Sequence, residues 1–185
     1  MSGWTGVLRA RRADDRIAHT VLFPDDYDEE FVDIFDRDRP PQSPTIYLCA
    51  QSRAHLRKGW ESDEPVFVMA NAPPEPAAGS RPDELWHRLR ATALDRLRTS
   101  GLVHPDDTLV WERTPSDLAR RFPGSRGSLY GAASNTRMAA FQRPPNRVSR
   151  IPGLYLATGS AHPGGGVPLC VQSGRTAARA LLQDL

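Results

Sequence analysis

The residues best placed to do chemistry form one short run, Gly159-Ser160-Ala161-His162-Pro163-Gly164-Gly165-Gly166-Val167-Pro168. Three consecutive glycines let backbone approach another body closely, because no Cβ stands in the way. Pro168 suits the first turn of a helix, where its missing N–H leaves no bond unmade. The N–H groups that open such a helix lack intrahelical partners, so they form a site for an anion or a carbonyl oxygen. The plainer alternative is a glycine-rich turn between a strand and a helix, since glycine strings often do no more than that. The run is not a Walker loop, which would continue into Gly-Lys-Ser/Thr. Nor is it GxGxxG, the dinucleotide-binding fingerprint, which occurs nowhere in the 185 residues.

Two side chains sit near this run in a way that invites a role. His162 could touch a ligand with its ring, or it could anchor the loop through a hydrogen bond. Arg143 could hold the loop or reach a ligand oxygen. No group of side chains forms an acid–base constellation, so no catalytic residue is assigned. His55, His87 and His104 share no ligand spacing, and no metal site is expected. Cys49 and Cys170 are too few for a disulfide framework and each lies in an apolar run, so both read as buried thiols. The formal net charge is +2, and Lys58 is the single lysine among 24 basic residues scattered along the chain. That pattern gives no nucleic-acid footprint. No apolar run is long enough to span a bilayer, and Met1 to Thr5 does not begin a charged-then-apolar leader.

The elements that must position the glycine run follow from periodicity. Val21 to Phe23 reads as a strand beginning near His19, closed by Pro24. Asp25 or Asp26 then caps a helix with acids in its first turn and with Phe31, Ile34 and Phe35 on one face. Thr45 to Ala50, Val66 to Ala70 and Thr108 to Glu112 read as further strands. Ser80 reads as the N-cap of a long helix with Pro82 in the first turn, Asp83 completing a capping box, and Leu85, Leu89, Ala93 and Leu97 forming an apolar stripe up to Gly101. Pro115 to Phe122 reads as a short helix, and Phe122 to Arg150 as a long irregular stretch. Leu154 to Thr158 is a buried-strand candidate. Pro168 to Leu182 is a helix, apolar nearly all round, with Gly174 allowing tight packing on a sheet. Short strands alternating with helices place the fold in the α+β class.

These motifs taken in order resemble a known family. The run from Leu154-Tyr155-Leu156-Ala157 through Gly159-Ser160 and His162 to Pro168, then Ser173-Gly174-Arg175, is similar to the C-terminal signature of phytoene-desaturase-type enzymes. These are FAD-dependent carotenoid desaturases of the amine-oxidase-like superfamily. Upstream, His19-Thr20-Val21-Leu22-Phe23 with Asp26-Tyr27 and Glu30-Phe31 resembles another of their stretches, as does Pro44 to Tyr47 with Ala50 to Arg53. Phe122-Pro123-Gly124, Gly127 to Gly131 and Phe141-Gln142-Arg143-Pro144 match as well. The Cys49-Ala50-Gln51 and Phe122-Pro123-Gly124 forms look closest to the hydroxyneurosporene or methoxyneurosporene desaturase branch.

The resemblance implies a mixed or antiparallel substrate-domain sheet with helices over residues 1–135, followed over 136–185 by the C-terminal strand-helix segment of a Rossmann-like FAD domain. It implies that Gly159, His162, Pro163, Gly164, Gly165, Gly166, Val167 and Pro168 lie beside FAD, and that the substrate is a hydrophobic carotenoid such as phytoene or hydroxyneurosporene. Full-length members are far longer and begin with a strand-GxGxxG-helix unit that this sequence does not contain. The expectation is therefore a C-terminal piece, inactive and weak in FAD binding by itself, whose Leu154 to Thr158 strand lacks its parallel neighbours, whose apolar last helix lacks half its packing surface, and whose partner is an N-terminal FAD-domain half. A cytoplasmic location, peripheral to the inner face of a membrane, goes with a polyene substrate. The rival reading is a non-catalytic module that binds an apolar polyene or a partner subunit.

Overall fold

Strict alternation along Asp63–Ala72 builds the axis of the fold: Glu64, Val66, Val68, Ala70 and Ala72 are buried while the residues between them are half-buried or exposed. That period of two is what a strand with one covered face requires. The computed structural model describes residues 2–56, 59–129 and 143–185. The chain divides into two compact units, Met1–Ser128 and Leu129–Leu185.

The first unit is one antiparallel sheet with helices. Its strands are β1 (Ser2–Arg11), β2 (His19–Leu22), β3 (Ile46–Ala50), β4 (Asp63–Ala72) and β5 (Thr108–Arg113), in the order β2-β3-β4-β1-β5. The expected strands are all present, and the sheet is antiparallel throughout. β1 is the strand that the sequence reading missed, although it lies between β4 and β5 and pairs with both. Trp4, Leu8 and Ala10 put its inner face into the core. Glycines at positions 3 and 6 weaken its strand signal. Gly6 is required by packing: a Cβ there would lie 2.8 Å from Leu109 and 3.0 Å from the Trp4 ring.

Helix α3 (Asp83–Thr99) covers that inner face. Trp86, Leu89, Ala93, Leu94 and Leu97 meet Trp4, Leu8, Ile46, Leu48, Val66 and Val68 in one apolar core. Trp86, rather than the expected Leu85, is the deep residue of the stripe. The helix also begins later than expected. Pro82 occupies the cap position and no side chain caps the helix, so Ser80 is not an N-cap. The dipole is served instead by Asp83 and Glu84 in the first turn and by Arg96 and Arg98 in the last. Arg96 also donates to the carbonyl oxygens of Phe23, at 2.9 Å, and Pro44, tying α3 to the ends of β2 and β3.

Helix α1 (Tyr27–Phe31) is capped by Asp26, which accepts from the Glu29 N–H, and continues as a π-helical turn over Val32–Asp36. The wider turn places Ile34 in the interior and leaves Phe35 exposed. Helix α2 (Gln51–His55) follows β3, and α4 (Pro115–Arg121) opens with a full capping box between Thr114 and Asp117. Trp86 Nε1 donates to Ser116 Oγ at 2.7 Å, and Ser116 donates to the buried Glu75. Glu75 and Arg126 exchange further bonds, with the Glu75 N–H donating to the Arg126 carbonyl at 2.7 Å and Arg126 Nε to the Glu75 carbonyl at 2.6 Å.

The sheet's outer face is different. Register aligns His19, Cys49, Phe67, Val7 and Trp111 in one row across all five strands. The next row is Val21, Tyr47, Met69, Thr5 and Arg113. Cys49 is buried, and the other nine are half-buried or exposed.

In the second unit, α5 (Val167–Gln183) begins where expected, with Gly166 as N-cap and Pro168 in the first turn. Two readings of local pattern fail for this unit, in the way expected where the neighbouring strands and the rest of the packing surface are lacking. Leu154 to Thr158 is not a strand: it forms one isolated antiparallel bridge, Arg147 with Tyr155, because no neighbouring strand among the described residues pairs with it. And α5 is not buried all round. Only Ser173 and Ala177 are buried, whereas Val167, Leu169, Val171, Leu181 and Leu182 are exposed. A Cβ built on Gly174 would meet nothing within 4 Å among the described residues, so the expected sheet contact is not made by them. Tyr130, Gly131, Phe141 and Gln142, which belong to the quoted motifs, lie outside the described residues.

Candidate functional site

The glycine run is held from behind by two buried polar side chains that the sequence reading did not single out. Asn146 Nδ2 lies 2.8 Å from the Leu156 carbonyl, 3.0 Å from the His162 carbonyl and 2.8 Å from Ser173 Oγ. Ser173 Oγ in turn accepts from the Thr158 N–H at 3.2 Å. The Leu156 N–H donates to the Asn146 carbonyl at 2.7 Å. A helix interior, a loop and the irregular segment 154–158 thus converge on one amide. Such buried groups must be paired, and here they are. A serine amid Leu, Val and Ala in α5 is the one sequence signal that could have pointed to this hub.

The expected site residues all lie in this one loop. The His162 N–H donates to the Pro144 carbonyl at 3.0 Å, so the anchoring of His162 runs through its backbone. A cis peptide joins it to Pro163, which is exposed. Arg143 Nη1 donates to the Gly159 carbonyl at 3.3 Å, and a Cβ on Gly164 would sit 2.9 Å from the same nitrogen. Arg143 therefore holds the loop. Gly159 is close-packed: its Cβ would come within 2.9 Å of Cys170 Sγ and 3.3 Å of the Gly165 Cα. Cys170 itself is exposed, against expectation, because α5 presents that side outward; Cys49 is buried as expected.

Gly166 contrasts with its neighbours. Its φ is +99°, which only glycine takes up readily, and among the described residues nothing lies within 4 Å of a Cβ built on it. Beside it Val167 is 79% exposed and Pro168 is exposed. No side chain caps α5. The Val167 and Leu169 N–H groups thus stand at a helix end that no side chain of the described residues fills. The loop has a braced inner side (Gly159, Gly164) and an open outer side (Gly166 to Pro168). At the other end of α5, Asp184 takes hydrogen bonds from Tyr155 and Arg147, and the bond to Asp184 pushes the Tyr155 phenol above its ordinary pKa.

No family model matches the chain. Individual relatives do. The chain is 37% identical over its whole length to the hydroxyneurosporene desaturase of Rubrivivax gelatinosus, covering 35% of that protein. It is 38% identical over its whole length to that of Cereibacter sphaeroides, covering 37% of it. A carotenoid 3,4-desaturase of Haloarcula japonica is 33% identical over 90% of the chain. The chain corresponds to the C-terminal part of this desaturase branch. It spans about a third of the length of the curated relatives it matches. The relatedness extends through the sheet unit as well as the glycine loop, because the match to the first two covers every residue.

Among the described residues no group of His, Cys, Asp and Glu could hold a metal, and no helix is long and apolar enough to cross a membrane.

Proposed function

We propose that this chain supplies the substrate-side sheet and the flavin-facing loop of an FAD-dependent carotenoid dehydrogenase acting on substrates such as hydroxyneurosporene. The observation that carries the proposal is the two-sided loop: braced behind by Arg143 on Gly159 and by Asn146 and Ser173 on Leu156, Thr158 and His162, with a helix start in front that no side chain of the described residues caps. The donor set suits a flavin. Backbone N–H groups at a helix start favour negative charge, and the open Cβ position of Gly166 leaves room for a flat ring. Gly165, Gly166, Val167 and Pro168 would hold the cofactor by backbone, with His162 and Pro163 shaping the loop. When bound, FAD supplies the hydride acceptor that removal of hydrogen from a C–C bond needs. The chain's own residues bind, orient and exclude water; none is assigned a proton-transfer role. In this reading residues 1–135 belong to a substrate domain and 136–185 to the end of a Rossmann-like FAD domain.

The sequence contains no GxGxxG unit, and that unit normally provides much of the dinucleotide affinity. The chain by itself is therefore expected to bind FAD weakly and to be inactive. Sequencing the genome around this reading frame tests the proposal. A strand-GxGxxG-helix coding segment nearby supports it, and a genome without one overturns it. A second reading, a non-catalytic module for a polyene or a partner subunit, is favoured by the exposed apolar residues of α5. It fails if the purified chain retains flavin.

A further inference from the structure

A cavity in the sheet unit gathers hydrogen-bond donors without a carboxylate to meet them. It lies between the loop that follows the π-helical turn and helix α3, with a volume of about 350 Å³. Small-ligand pockets begin at about 300 Å³. Arg39 and Gln42 line it from the loop, and Arg88 and Thr92 line it from α3. The remaining lining is apolar: Pro40 and Pro41 on one side, Leu85 and Leu89 on the other. The acids Asp25, Asp26 and Glu29 line a different cavity.

Both walls are fixed before any ligand arrives. Asp33, 2% exposed, accepts from Arg39 Nε at 2.8 Å and from the Gln42 N–H at 3.2 Å. Arg81, just before α3, reaches back to Asp38, with Nη1 on its carbonyl at 2.7 Å and Nη2 on its carboxylate at 2.6 Å. The loop is thus tied to a buried carboxylate and to the start of α3, and Pro40 and Pro41 stiffen it further. Binding to such a site costs little ordering.

The donors themselves are unspent. Among the described residues the Arg88 guanidinium has no partner, although Glu84 lies one turn before it, and the Gln42 side-chain amide has none. Thr99 and Thr176 turn their hydroxyls back onto carbonyls four residues earlier, at 2.9 and 3.0 Å; Thr92 does not. Arg39 gives Nε and Nη2 to Asp33 and keeps Nη1. Asp33 balances the charge of Arg39, and nothing among the described residues balances that of Arg88.

We propose that this cavity binds a small organic phosphate, with Arg39, Gln42, Arg88 and Thr92 on the phosphate oxygens and the prolines and leucines against a short apolar body. A carboxylate offers two oxygens to these four donor groups, whereas a phosphate monoester offers three terminal ones. Guanidinium groups meet phosphate through paired N–H donors. All of these residues belong to the sheet unit, so the site is independent of the flavin reading.

The test is a map of backbone amide shifts in the isotope-labelled full chain, without flavin, as phenyl phosphate, inorganic phosphate or benzoate is added. Phenyl phosphate should shift the amides of Gln42, Leu85, Arg88, Leu89 and Thr92, and should bind about tenfold more tightly than either other probe. Arg88→Gln, at an exposed side chain, should weaken phenyl phosphate at least about tenfold, and Thr92→Val, which keeps the shape, about three- to fivefold. Cavity amides that do not move in the wild-type chain overturn the proposal, and so does either variant binding like the wild type. Benzoate binding as tightly as phenyl phosphate overturns the choice of phosphate. Inorganic phosphate binding as tightly overturns the role of the apolar lining. Because the readout is at α3 and its facing loop, the result stands or falls separately from flavin contact at the glycine loop.

Discussion

Replacing Asn146 by Ala removes the amide on which the candidate loop is hung. Its two N–H protons serve the carbonyl oxygens of Leu156 and His162 and the Ser173 hydroxyl, all within 3.0 Å. Leaving a buried acceptor unmet costs about 1–3 kcal/mol, and two protons are lost, so the local penalty is about 2–6 kcal/mol. Backbone amides held by the hub should then exchange at least about 30-fold faster, and up to about 20,000-fold. The reporters are the N–H groups of Leu156, Thr158 and His162. The Val68 amide on β4, deep in the other unit, reports global opening. Asn146→Asp preserves shape but turns donors into acceptors, and should do at least as much harm as Ala. If Asn146→Asp exchanges like the wild type, or if Val68 accelerates as much as Leu156, the loop is not held by this amide and the account of the site is wrong.

Three further outcomes follow from buried groups and backbone geometry. Arg16→Ala strands the fully buried Glu64 carboxylate with Ser52 as its remaining side-chain partner among the described residues, and should lower unfolding stability by about 3–5 kcal/mol in urea titration; a loss under about 1 kcal/mol would contradict this. Burial alone would raise the Asp33 pKa, but hydrogen bonds from Arg37, Arg39 and the Gln42 N–H outweigh it and hold the carboxyl below its ordinary value. Unfolded chain therefore takes up the proton first: the Asp33 contribution is complete above the ordinary carboxylate pKa and is lost as pH falls through the lowered folded value. Asp33→Asn should flatten that acid limb in urea midpoints measured against pH. Gly127→Ala places a Cβ 2.2 Å from the Pro115 carbonyl at φ +70°, and should cost more than about 2 kcal/mol in thermal melts, whereas Gly124→Ala, at φ +84° in open space, should cost about 1–2 kcal/mol.

Local pattern carried much of the sheet unit. Alternation exposed β3, β4 and β5, and the stripe Leu89-Ala93-Leu97 exposed α3, because these signals lie within one element. β1 escaped because its glycines answer a tertiary demand, the space needed by Trp4 and Leu109, and so carry no strand propensity of their own. Ser80 failed as a cap because the chain stays extended through Pro82. The glycine loop itself was visible as glycines and a proline. Its bracing was not, since Asn146 and Ser173 are 27 residues apart and only folding brings them together. The apolar side chains of α5 promised burial, but pattern reports apolarity and not what covers it.

The central claim is that the outer side of this loop meets a flavin. The most direct measurement is a map of backbone amide shifts in the isotope-labelled chain as FAD is added to millimolar concentration, a regime in which even weak binding registers. The account predicts shifts concentrated at Gly165, Gly166, Val167 and Leu169, and their loss in Gly166→Val. Shifts that are absent from this loop, or that appear at it unchanged in Gly166→Val, would contradict the claim.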